Sequence, residues 1–164
     1  MVIVQTDHRR NSAWKAIFIS FAIALLLLTI PLPEWAMVVR PDLVSVVLVA
    51  WCFAAPAKVG VTSGWVAGLL LDALQFTVLG QNAISKGVVA YLAVRMQPRV
   101  RSVLIWQQMI AVFVLLCIDM AIVTWIRSFF GESPVTFLTW VSVFIGTLLW
   151  PFVFLTLQRF NPRF

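Results

Sequence analysis

Charge is what this sequence has least of. Only 11% of its 164 residues are Asp, Glu, Lys or Arg, against about a quarter in an ordinary soluble domain. With 62% hydrophobic residues and a mean hydropathy of +1.01, polar surface is too scarce to cover a core in water, and a bilayer is the expected solvent. Histidine occurs once, His8 in the polar opening TDHRRNS, and reads as solvated surface. The two cysteines, Cys52 and Cys117, lie inside apolar runs and read as packing residues. C-x-x-C, H-E-x-x-H, the Walker lysine motif and the serine elbow are all missing, so no motif argues for metal, nucleotide or acyl chemistry. No cofactor or metal is expected. No cleavable leader is expected: the first apolar run follows Arg9, Arg10 and Lys15 but ends in Pro31-Leu32-Pro33-Glu34 without a small-x-small site. It reads as a retained first span with a signal anchor's orienting charges.

What the chain does have is long apolar runs, bounded by charge and proline: Trp14 to Ile30, Asp42 to Ala55, Val59 to Leu79, Ala83 to Met96, Val103 to Ile126 and Val135 to Leu157. The first, third, fifth and sixth approach or exceed the ~20 residues that cross ~30 Å of hydrocarbon. The second and fourth are short and cross only where the bilayer thins or neighbouring helices shelter their ends. Runs this long and uniform exclude membrane strands, which need ~10 alternating residues. The expected fold is therefore all-α, a polytopic membrane protein built as a compact bundle of six transmembrane helices. Its rival is four spans with two re-entrant segments. The single transmembrane domain covers residues 1–164, with short cytoplasmic tails at 1–13 and 158–164.

The net charge of +6 could suggest nucleic acid, but the charges form no basic face, and topology explains them better. With the N-terminus in the cytoplasm, the inside holds Arg9, Arg10, Lys15, Lys58, Arg95, Arg99, Arg101, Arg159 and Arg163, and the outside Arg40, Lys86 and Arg127. That bias predicts both termini in the cytoplasm. Trp14, Trp35, Trp106 and Trp125 fall near span ends, at headgroup depth, whereas Trp51, Trp65, Trp140 and Trp150 fall deeper and are expected to fill gaps between helices. Pro151, after Trp150, predicts a kink or an unsatisfied carbonyl in the sixth run.

The stretch GVTSGWVAGLLLD, residues 60–72, spaces Gly60, Gly64, Gly68 and Asp72 four apart. In a helix these residues share one face, drifting ~40° per step. Glycines on such a face form a groove for close backbone approach, which supplies packing where lipid removes the hydrophobic drive. Packing within the chain is favoured over contact with a partner. Asp72, in the outer half of the membrane, should be paired or protonated. Arg40, Asp42, Lys86, Asp119 and Arg127 are placed at similar depth, so a polar cluster of Asp42, Asp72 and Asp119 with Arg40, Lys86 and Arg127 is expected near the outer face. Gln75, Gln81 and Asn82 add uncharged polarity around the next turn, and Gly80 is expected to end the third span. The cluster reads either as internal ion pairing that fixes the register of the bundle or, functionally, as a polar cavity or a docking point for a partner that enters the membrane.

RPDLVSVVLVAW at 40–51, VG at 59–60, GLLLDALQFTVLGQNAISKGVVAYLAVR at 68–95 and WQQ at 106–108 together resemble the MreD family of bacterial rod-shape-determining membrane proteins. The resemblance runs from about Trp14 to Arg159. Arg40, Pro41 and Asp42 match the motif opening span two; Gly68, Asp72, Leu79, Gly80 and Gln81 match the central motif; Gln107 and Gln108 match the start of span five. Asp119 departs from the pattern. The resemblance implies a bacterial inner-membrane protein without catalytic activity, in the machinery that inserts peptidoglycan along the lateral wall. The implied partner is the bitopic MreC and, through it, the filament protein MreB and the synthase pair RodA and PBP2. It also implies a fold like the substrate-binding membrane subunits of energy-coupling-factor vitamin transporters. A small-solute uptake subunit is the alternative reading, and an enzyme acting on a lipid-linked substrate ranks below both.

Overall fold

A computed structural model describes residues 4–30, 40–100, 102–131 and 137–160. Among them are six α-helices and no strand: α1 (Val4–Thr29), α2 (Leu43–Ala54), α3 (Val61–Gln75), α4 (Gln81–Val100), α5 (Ile105–Phe129) and α6 (Phe137–Phe160). Two segments are long and apolar enough to cross a membrane, α5 over Ile105–Phe129 and α6 over Thr139–Thr156, and two shorter apolar helices lie at Trp14–Thr29 and Leu43–Ala54. The α1, α5 and α6 surfaces expose large apolar side chains, among them Phe18, Leu26, Ile110, Trp125, Phe144 and Phe152. Surface of this kind suits hydrocarbon and not water.

The interior is organised by α2 and α4. Nine of the twelve residues of α2 are buried, from Val44 to Phe53, because α1, α4, α5 and α6 all pack on it. This enclosure is how a run of only 12 residues is sheltered. The fourth run is longer than its apolar stretch suggests. Gln81 and Asn82 at one end and Pro98 and Arg99 at the other are helical, giving 20 residues. The core beneath is Leu48, Val49, Val89, Val112, Leu115 and Trp150, with Trp150 meeting Phe53 edge-on at 5.6 Å between ring centroids.

Three expectations change at α3. The helix stops at Gln75 and does not reach Leu79, because Phe76 takes the left-handed conformation (φ 52°) with its N–H on the Asp72 carbonyl. Gly80, with φ 101°, therefore does not end α3 but sets the backbone that enters α4. Trp65 is not enclosed between helices: it is 51% exposed, with its ring edge beside Gly87 of α4, whereas Trp51 and Trp150 are buried as expected. Trp51 also donates its indole N–H to Ser20 Oγ at 2.7 Å. Trp14, Trp106 and Trp125 are exposed; Trp35 lies outside the described residues. Helix α6 continues through Pro151.

The glycine face packs inside the chain, against α4. A Cβ on Gly64 would sit 2.6 Å from the Lys86 carbonyl oxygen and 2.9 Å from Ala90 Cβ; one on Gly68 would sit 2.5 Å from Ala83 Cα and from the Asn82 carbonyl oxygen. Backbone on backbone leaves nothing flexible to yield. Gly60 is different: it is the N-cap of α3, and a Cβ there meets nothing within 4 Å. The seam is Gly64, Gly68 and Asp72, one member shorter than the spacing suggests. Alanine at Gly64 or Gly68 is expected to cost about 1–3 kcal/mol through overpacking, and alanine at Gly60 less than about 0.5 kcal/mol. Reversible unfolding of the purified chain in detergent measures all three.

Candidate functional site: a buried polar cluster

The C-terminus of α3 and the N-termini of α2 and α4 bring most of the polar side chains to one end of the bundle, facing Asp119 in the second half of α5. Asp42 is the N-cap of α2, accepting the Ser45 N–H at 3.1 Å. Carboxylates suit this position because the first N–H groups of a helix lack partners and carry its positive end. Lys86 lies in the second turn of α4 and is completely buried. Its ammonium reaches Asp42 Oδ2 at 2.5 Å and Asp119 Oδ2 at 2.7 Å. Ser45 Oγ joins the same two carboxylates, 2.7 Å from Asp119 Oδ2 and 3.1 Å from Asp42 Oδ2. Ser85 Oγ adds contacts to the Asp119 carboxylate and, at 3.0 Å, to its carbonyl oxygen. Charges removed from water are tolerable when each remaining lone pair and proton is matched, and this arrangement comes close to that condition.

Asp72 stands apart from this group. Its expected cationic partner is replaced by the opening turn of α4: it accepts Gly80 N–H at 2.9 Å, Asn82 N–H at 3.0 Å, the Asn82 side-chain amide at 2.8 Å and Thr77 Oγ1 at 3.1 Å. One carboxylate from α3 thus caps the next helix across the intervening turn, and the αL residue Phe76 folds the chain back so that it can. The expected six-residue cluster is two sites, Asp42–Lys86–Asp119 and Asp72 with the α4 N-terminus. Arg40 belongs to neither ion pair. Its guanidinium donates to the Leu27 carbonyl and, at 3.4 Å, to the Ile30 carbonyl, closing the end of α1.

Arg40, Asp42, Asn82, Asp119 and Arg127 nevertheless share one cavity of about 250 Å³, whose far wall is Thr139, Ser142 and Gly146 of α6. Ser45 and Ser85 are the participants that charge-based reading passes over. The signal for Ser45 is its place three residues after an N-cap aspartate. Gln108 is buried and donates to the Val100 and Val103 carbonyls at 3.2 and 3.3 Å, pinning the turn between α4 and α5. Gln81 is buried at the start of α4, and its side-chain amide finds no protein partner among the described residues.

A family model described as rod shape-determining protein MreD matches residues 8–160. The chain belongs to the MreD family. A curated relative, the rod shape-determining protein MreD of Haemophilus influenzae, is 27% identical over 153 residues, covering 92% of this chain and 93% of its own length. The match makes this a rod-shape-determining membrane protein. No solved structure matches the chain. The segment from Gly68 to Gln81 is the α3–α4 seam with its carboxylate cap, and Arg40 and Asp42 close α1 and open α2. Asp119 is the second carboxylate on Lys86.

Replacing Asp72 with Asn puts an NH2 group against N–H donors and leaves at least one of them unsatisfied. The expected loss is about 1–3 kcal/mol, with the start of α4 exchanging amide hydrogens faster than its centre. Uniform protection along α4 in Asp72→Asn would show that the cap is dispensable.

Proposed function

We propose that this chain is a non-catalytic scaffold of the complex that builds the lateral cell wall, and that it docks a bitopic, MreC-like partner at the open end of its polar cavity. Through that partner it would act on an MreB-like filament and a RodA/PBP2-like synthase pair. The observation that carries this reading is the arrangement of the charges. Lys86, Asp42, Asp119 and Asp72 are engaged in holding helices together, while the cavity beside them is walled by Arg40, Arg127, Thr139 and Ser142. That is a concave surface with donors and acceptors, suited to a peptide segment entering from the membrane surface.

The topology that goes with it is six spans in the bacterial inner membrane with both termini in the cytoplasm, supported by the distribution of Lys and Arg. The cavity then opens outward, toward the side on which a bitopic partner carries its large domain. Single cysteines at position 60 and at the exposed position 79, in a Cys52→Ala/Cys117→Ala background, are expected to react with impermeant reagent from opposite faces of the membrane. Reaction from one face overturns the topology.

Docking is tested by narrowing the cavity. Thr139→Trp is expected to reduce co-purification of a single-span partner at least tenfold at unchanged abundance of the chain in the membrane. Undiminished co-purification overturns the docking site. The same cavity, with cationic and anionic side chains on its wall, is the observation that favours the second reading, a solute-uptake subunit. That reading expects a small molecule to be retained through purification, released on denaturation and detected by mass spectrometry.

A further inference from the structure

A second concavity, about 360 Å³, lies between α1 and α3 and plays no part in the polar site. Its walls are Phe18, Phe21 and Leu25 of α1 and Val66 and Leu70 of α3. The two helices run side by side in the same direction here: Lys58, just before α3, lies over the Trp14 ring, 5.9 Å from its centroid, while Ala24 and Ala67 meet further along. From Trp14 to Leu25 the groove follows α1 for eleven residues, about 16 Å at 1.5 Å per residue. That is about half of the ~30 Å hydrocarbon thickness, the depth of one leaflet. Its closed part is apolar. Its mouth holds Lys58 and the Thr62 hydroxyl, and no carboxylate lines it. The mouth also carries a tryptophan, which favours headgroup depth.

We propose that this groove is a binding site for one anionic phospholipid, with an acyl chain lying between α1 and α3 and the phosphate held by Lys58 beside Trp14. Length, apolar walls and a single cation at one end are what a lipid presents in reverse: one leaflet of hydrocarbon with a negative group at its top. The lipid completes a contact that the protein leaves thin: α1 packs far less on α3 than on α2, and the two helices share the small cluster of Ala24, Val44, Ala67 and Leu71. The proposal rests on α1 and α3 lying in the bilayer, which the labelling on either side of α3 tests separately for that helix. It is independent of what docks at the polar cavity.

The test is native mass spectrometry of the full chain in detergent, titrated with phosphatidylglycerol or with phosphatidylcholine of the same acyl chains. One phosphatidylglycerol is expected to be retained about fivefold more readily, the factor that one lysine near an anionic surface is worth. Lys58→Gln is expected to bring the ratio close to one, and Val66→Trp, at an exposed position, to lower retention of both lipids. Equal retention of the two lipids by the unaltered chain overturns the proposal, without reliance on any variant. So does glycerol phosphate binding as well as the intact lipid, because the groove would then contribute nothing. A photoreactive residue at position 66 that crosslinks to protein and not to lipid in native membranes also overturns it, and assigns the face to a partner helix.

Discussion

The Lys86 ammonium between the Asp42 and Asp119 carboxylates is the interaction on which the rest of this bundle depends. Lys86 and Asp119, both buried, would each be prohibitively costly alone in a dry interior, and Asp42, its side chain about a third exposed, joins them from the rim. Together they join the N-terminus of α2, the second turn of α4 and the second half of α5. Apolar packing in a membrane protein is permissive about sliding, because leucine against leucine differs little from leucine against lipid. Three charges that must meet within hydrogen-bond distance are not. They set the register of the three helices that contribute them, and Ser45 and Ser85 make a slip by one turn more costly still.

A different constraint fixes α3. Gly64 and Gly68 allow its backbone to rest on that of α4, and Asp72 then reaches the N–H groups at the start of the same helix. Close approach and capping reinforce each other: a helix held further away would leave the carboxylate short of its donors. Seam and ion pairs meet on α4, which carries the Lys86 carbonyl against Gly64 and the Lys86 ammonium against two aspartates. One helix turn thus transmits the position of α3 to α2 and α5.

Much of this was legible in the residues. Run length specified helices, the four-residue spacing identified the face of α3 that packs, and the scarcity of charge made each buried ion a structural fact to be explained. Depth along a helix can be counted; the direction a side chain faces across the bundle cannot. For that reason Arg40, Asp42, Asp72, Lys86, Asp119 and Arg127 read as one cluster, although Asp72 caps α4 and Arg40 closes α1. Reasoning from opposite charge also overlooks the backbone, whose N–H groups at a helix start compete well for a carboxylate. Gly60 fits the spacing but precedes the first turn of α3, where nothing approaches it. Trp65 sits in mid-run, yet the side of α3 that α4 occupies leaves it facing outward.

Membership of a rod-shape-determining family suits a molecule whose polar residues mostly hold its own helices and whose remaining concave surfaces face outward. The architecture depends on Lys86 and its two aspartates acting as one unit. Unfolding free energies in detergent decide this: Lys86→Met alone is expected to lose about 3–5 kcal/mol by leaving the buried Asp119 carboxylate without its cation and beside Asp42, and Lys86→Met/Asp42→Asn/Asp119→Asn to recover most of that loss. Equal stability of the single and triple variants, or a single variant as stable as the unaltered chain, would contradict it.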